Sequence, residues 1–207
     1  MKGSRLNRLL VGALISLGVT AAPAPAAARQ DETAVLAGGC FWGMESVFEH
    51  VKGVRKVVSG YSGGRAEDAN YEAVSSERTG HAEAVKITYD PSQISFSGLL
   101  NIFFSVAHDP TQVDRQGPDV GRSYRSAIFP QSAEQARLAS LFIEKWAKAS
   151  HAKVATRIEQ GRFYAAEDYH QGYARNHPFM PYILINDRPK LIALKQKFPS
   201  LYTSGES

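Results

Sequence analysis

The 207 residues are 43% apolar and 21% charged, the balance of an ordinary globular chain and not of a disordered or fibrous one. Their length suits a single domain with a substantial core. The formal charge of +4 is set by the first 28 residues, which hold Lys2, Arg5 and Arg8 and no acidic residue; without them it falls to +1, leaving no electrostatic footprint for nucleic acid or an anionic membrane.

Those first residues have the order of a secretory signal. The basic stretch is followed by an apolar run from Leu9 to Val19, and small residues up to Ala28 offer a cleavage site. The run is shorter than the ~20 residues that span a bilayer. Residues 1–28 are therefore expected to be removed on export, to a periplasmic location, leaving residues 29–207 as one domain free of the membrane.

In the mature part, Thr33 to Ala37 is a partly β-branched run that reads as a strand, broken by Gly38 and Gly39 before Cys40. Apolar residues at 41, 44, 47, 48 and 51 then have helical spacing. Val54 to Ser59 reads as a second strand, and Gly60 to Asn70 as a loop. Val85, Ile87 and Tyr89 alternate with Lys86 and Thr88, a half-buried strand ended by Asp90-Pro91. Ser97 is a candidate cap for a helix with Leu99, Leu100, Phe103, Phe104 and Ala107 on one face. A polar loop spans His108 to Gly121, and Tyr124 to Phe129 returns as a strand. Ser132-x-x-Gln135 is a capping box opening a helix to about Lys148. Val154, Thr156 and Ile158 suggest a further strand. The first six elements follow the split βαβ order of an α+β, ferredoxin-like two-layer sandwich. Residues 160–207 show little periodicity beyond a short helix near Ala166 to Arg175 and are expected to wrap the core as an irregular tail.

Chemistry centres on the single cysteine. No disulfide can form within these residues, so an exported lone thiol needs either a reactive role or a buried, inert position. Cys40 lies between a glycine pair and the first helical turn, where unpaired backbone N–H groups and the helix dipole favour thiolate. The glycines permit a tight turn and leave space for a substrate to approach. Phe41 and Trp42 place two large aromatics beside the sulfur, able to form an apolar cup for a methyl or thioether group.

Gly39-Cys40-Phe41-Trp42-Gly43 resembles the nucleophile motif of the A-type peptide methionine sulfoxide reductases. Further blocks resemble that family in order: Gly60 to Gly64, Asn70 to Val74, Gly80 to Val85, His108 to Gln112, Arg115 to Gly121, Tyr124 to Ile128 and Ala166 to Gln171. They extend over roughly residues 33–185. The resemblance implies a peptide-methionine (S)-S-oxide reductase in which Cys40 attacks the sulfoxide sulfur and becomes a sulfenic acid. It implies that Glu83 is the acid, held protonated by burial, and that Tyr71 and Tyr124 hydrogen-bond the sulfoxide oxygen. It gives Asp119 a positioning role, and Phe41 and Trp42 the ε-methyl group. Many members carry a resolving cysteine; its absence here points to an external thiol, such as a thioredoxin-like protein, as reductant. Substrates would be oxidised proteins or free methionine sulfoxide, with no cofactor or metal, acted on by a monomer.

Two other readings stay open on the residues alone. One is a Cys–His hydrolase using His81, His108 or His170; the other is a redox sensor that oxidises at Cys40 without turnover. The histidines at 50, 81, 108, 151, 170 and 177 lack metal-ligand spacing, and His81 and His170 read as hydrogen-bonded scaffold.

Overall fold

Glu32–Gly38 form β1, whose last five residues are all buried, and the computed structural model describes residues 30–204. The segment read as an export signal lies outside the described residues. The remaining elements follow as α1 (Phe41–Glu49), β2 (Val54–Ser62), α2 (Tyr71–Ser75), β3 (Ala82–Tyr89), α3 (Phe96–Ile102), β4 (Arg115–Gln116), β5 (Asp119–Val120), β6 (Ser126–Phe129), α4 (Ala133–Ser150), β7 (Arg157–Ile158), β8 (Phe163–Ala165), α5 (Tyr173–Asn176) and α6 (Arg188–Lys197).

Six strands pair in the order β7-β6-β1-β3-β2-β8, and β4 pairs with β5 as a separate hairpin. β3 is antiparallel to both β1 and β2, so those two run the same way with β3 between them, joined by α1. β3 and β6 likewise flank β1 and are joined through α3. Two interlocked split βαβ units result, which is the expected α+β sandwich. One face of the sheet carries Leu36, Val57, Val85, Ile87 and Ile128 against Phe41, Met44, Val47 and Phe48 of α1 and Leu99 and Leu100 of α3. Each such side chain, withdrawn from water, contributes roughly 1.5–3 kcal/mol. The opposite face carries smaller residues, Val35, Ala37, Ala82, Ala84 and Ala127, beneath Phe129 and Phe163.

Several boundaries differ from the sequence expectation. β2 continues to Ser62 and β3 begins at Ala82, because both strand ends are buried on both faces by small residues and so show no alternation. The cap of α3 is Ser95, not Ser97: its hydroxyl accepts from Gly98 N–H at 3.1 Å, while Ser97 lies inside the first turn. Tyr124 belongs to a 3₁₀ turn over Arg122–Tyr124, and β6 starts only at Ser126. The Ser132 cap of α4 is as expected, with its hydroxyl accepting from Gln135 N–H, but the return bond of the box comes from Gln131 N–H. β7 is only two residues long, parallel to β6.

The tail holds more structure than its sequence suggests. β8 pairs with β2, and a π-helical turn over Ile183–Asp187 leads into α6. In place of one helix over 166–175 there is a 3₁₀ turn at Asp168–His170 and then α5. The apolar residues of α6 run consecutively from Leu191 to Leu194, and only Leu194 is fully buried, so no helical period marks it.

Candidate active site

The chain leaves β1 through Gly38 and Gly39, and Cys40 occupies the N-cap position of α1 with a non-helical backbone (φ −53°, ψ 124°). Gly39 has φ +93°, and a Cβ there would lie 2.6 Å from the Gln116 side chain. A Cβ on Gly38 would meet the rings of Phe103 and His108. The space opened by these glycines is therefore filled by the protein, and the turn itself is their requirement. The thiol is 9% exposed and lines a cavity of about 80 Å³ with Gln116, Pro118, Asp119, Tyr182, Asn186 and Lys190.

Glu83 approaches the same helix terminus from β3. It shares its face of the strand with Val85, Ile87 and Tyr89, the face that packs on α1. Its Oε2 accepts from Phe41 N–H at 3.0 Å, beside the cysteine, and the residue is only 4% exposed. Desolvation dominates, so its carboxyl is pushed up to about 8 despite the Phe41 hydrogen bond, with Asp119 and Glu77 adding in the same direction. At neutral pH Glu83 is mainly protonated and can donate.

The sulfur departs from the sequence expectation. Burial, then the charges of Glu83 and Asp187, raise the Cys40 thiol well above its ordinary value, and the N–H of Trp42 at the helix terminus opposes this without prevailing. The helix terminus eases ionisation but does not leave a resting thiolate.

Tyr71 and Tyr124 are half-buried, and each has its hydroxyl raised by burial and then by Glu83 and Cys40. Both phenols thus stay neutral donors around the thiol and the acid. Asp119, on β5, accepts a short hydrogen bond from the hydroxyl of Tyr182. Phe41 is 1% exposed and faces Tyr61 and His170. Trp42 is half-buried, stacked on Tyr173 with centroids 3.8 Å apart and meeting Tyr182 edge-on. All seven residues singled out in the sequence therefore gather about the start of α1, with Phe41 beneath the surface and Trp42 at it.

The histidines do not touch the sulfur. His81 binds Gly64 N–H and the Arg65 carbonyl, and His108 binds the Phe103 carbonyl and Ser126. His170 accepts from the indole of Trp42 at 3.2 Å. These are scaffold bonds, as expected for His81 and His170. They leave the Cys–His arrangement of a hydrolase unformed.

Several participants carry no signal of their own in the sequence. Tyr182, Asn186, Asp187 and Lys190 come from the tail, and Gln116 from the β4–β5 hairpin. Glu167 accepts from the hydroxyl of Tyr61 and from Tyr71 N–H, and so fixes the start of α2. Its only sequence cue is the block from Ala166 to Gln171.

Comparison with known proteins shows the family. A family model for peptide methionine sulfoxide reductases matches residues 32–201. The chain is 53% identical over 180 residues to the peptide methionine sulfoxide reductase MsrA 2 of Mesorhizobium japonicum, covering 86% of this chain and 92% of that one. Among solved structures it is similar to reduced Mxr1 of Saccharomyces cerevisiae, with TM-score 0.67, 32% identity, and 73% and 88% of the two chains covered. It is also similar to methionine sulfoxide reductase A of Corynebacterium diphtheriae, with TM-score 0.63, 33% identity, and 73% and 78% covered. With its one thiol set beside a buried protonated carboxyl, this chain belongs to the peptide methionine sulfoxide reductase family, oxidoreductases that use thiol chemistry to return methionine sulfoxide to methionine.

Proposed function

We propose that Cys40 is the nucleophile and Glu83 the acid of this reduction. The observation that carries the assignment is their meeting at one helix terminus, where the Glu83 carboxyl accepts from Phe41 N–H while burial keeps it protonated. The sulfur of Cys40 attacks the sulfoxide sulfur, Glu83 protonates the oxygen as negative charge develops there, and the proton the thiol gives up returns the carboxyl to its acid form. The hydroxyls of Tyr71 and Tyr124 share that charge. Oxygen passes to Cys40 as methionine leaves, so one sulfur is reduced by two electrons and the other oxidised to a sulfenic acid. Asp119, held by Tyr182, positions the bound residue, and Trp42 with Phe41 behind it borders the methyl site.

The chain has one cysteine, so the sulfenic acid is returned to thiol by an outside reductant of thioredoxin-like chemistry, through a mixed disulfide. The preference for the S epimer follows the A-type family pattern, with methionine sulfoxide in oxidised proteins or free as substrate. The order of Lys2, Arg5, Arg8 and the apolar run to Val19 supports export and action outside the cytoplasm; recovery of the mature protein in the cytoplasmic fraction alone would sink that part.

The test is turnover of separated S and R epimers of a blocked methionine sulfoxide with excess dithiothreitol, with Cys40→Ser run beside the parent. Consumption of the S epimer alone, lost in the variant, is the expected result. Equal activity in Cys40→Ser would overturn the assignment.

A further inference from the structure

Glu83, Tyr71 and Tyr124 account for the oxygen-facing side of the thiol; its other side holds a charged pair that this chemistry does not use. Asp187 closes the π-helical turn before α6 and is 1% exposed. Its Oδ1 accepts from Lys190 Nζ at 3.2 Å, and its Oδ2 has no hydrogen-bond partner. Lys190 itself lines the small cavity with Cys40, Tyr182 and Asn186. Room for the pair is made by Gly43 in the first turn of α1: a Cβ there would overlap Asp187 Oδ1 and come within 2.7 Å of Lys190 Nζ. A buried carboxylate with an idle oxygen is costly unless it holds a cation in place, and the cation it holds lines the same cavity as Cys40.

We propose that Lys190, positioned by Asp187, serves the recycling half of the cycle. This rests on the reading of Cys40 as the residue that becomes a sulfenic acid. The ammonium draws in the thiolate of the external reductant. That thiolate attacks the Cys40 sulfur, an S–S bond forms and the S–O bond breaks. The departing hydroxide takes a proton from Lys190 and leaves as water. The neutral amine then accepts the proton of a second thiol, whose thiolate attacks the outer sulfur of the mixed disulfide. Reductant disulfide is released, and Cys40 leaves as a thiolate beside the restored ammonium. Two thiols are oxidised, one sulfenic acid is reduced and one water is made. A chain with one cysteine makes this step intermolecular, so a fixed charge at the mouth replaces what a tethered second cysteine would contribute by proximity.

The experiment separates the half-reactions in the full enzyme. Methionine formed in a single turnover without reductant reports the first half. Decay of the preformed sulfenic acid with 2-mercaptoethanol, followed by quenching and mass measurement, reports the second. In Lys190→Gln the second-half rate should fall by about tenfold to a hundredfold, with its decline in added salt flattened, a larger loss than any in the first half. Lys190→Arg should restore much of the second-half rate, and Asp187→Asn should lie between. An unchanged second half in Lys190→Gln, or equal losses in both halves, overturns the inference. A parent enzyme that forms methionine but no sulfenic acid would instead fail the reading of Cys40 beneath it.

Discussion

The frame from β1 to β6 and the tail from β8 to α6 share apolar burial but differ in how much they rely on buried hydrogen bonds. In the frame, Leu36, Phe48, Ile87, Leu99 and Ile128 are wholly buried against one another. The tail joins that core through Ala166 and Leu194 and stacks Tyr173 on Trp42, and it adds a set of polar contacts. Gln171 accepts from Ser59 N–H and donates to the carbonyls of Ser59 and Ala166. Gly172 N–H donates to Glu45 at 2.9 Å, the indole of Trp42 donates to His170, and Arg175 pairs with Glu49. Burial, with Glu49 adding to it, pushes the Glu45 carboxyl up to about 7. Apolar burial is non-directional and tolerates adjustment, whereas buried hydrogen bonds cost most when one partner is removed. The cysteine and its acid come from the first kind of region, and Tyr182, Asp187 and Lys190 from the second. The protein thus sets Cys40 and Glu83 on apolar packing and part of the cavity wall on a strap that adds hydrogen bonds to its packing.

The comparison breaks most sharply at Phe48. Phe48→Ala should cost about 3–5 kcal/mol, since the cavity lies between α1 and the sheet; a denaturant midpoint shift with unchanged slope would show it. Loss of less than about 1 kcal/mol would mean that the frame repacks as freely as a surface.

Glu83→Gln probes the frame's chemistry rather than its stability. The Gln side chain can keep the Phe41 bond but supplies no acidic proton, so kcat for the S epimer should fall by about a hundredfold. In the parent enzyme the rate should fall as pH rises through about 8, where Glu83 ionises, and the variant should lack that limb. Stability has the same sign: a carboxyl raised from 4.5 to about 8 by folding contributes stability that is full below 4.5 and lost as pH rises through 8. Glu83→Gln should therefore gain on the parent at pH 9 in thermal unfolding. A parent rate flat from pH 6 to 9 would count against the assignment of the acid.

Gln171→Ala tests the strap. It leaves Ser59 N–H and the Ala166 carbonyl without that partner, while the Ser59 carbonyl keeps the N–H of Ala166, a loss of about 1–3 kcal/mol. The loss should appear first as faster amide exchange over residues 166–176 and a raised KM, before any large fall in global unfolding temperature. A uniform destabilisation with unchanged exchange in the tail would show that the strap and frame unfold as one.

Much of the frame is legible because its strands and helices keep a period. The alternation at Val85, Ile87 and Tyr89 and the helical spacing from Phe41 to Val51 are direct prints of one-sided burial. The cysteine position, the cap at Ser132 and the site residues carried by the family resemblance were also visible in the chain. The tail was not: α6 presents consecutive apolar residues with one fully buried, and α5 is a single turn tied down by Glu45 and Glu49. Bonds between residues more than a hundred positions apart leave no local pattern.

Sequence by itself therefore determined the α+β order of elements and the place of the lone cysteine before α1, because these depend on local turn chemistry and periodic burial. Tertiary structure decided the protonation states and the cavity. Only when β3 brings Glu83 to the start of α1 does burial hold it neutral, and the same burial raises the thiol that the helix terminus alone would have lowered. Only the folding back of the tail gives Asp119 its partner Tyr182 and sets Lys190 over the cavity. Desolvation depends on everything that surrounds a group, and no stretch of chain carries that information alone.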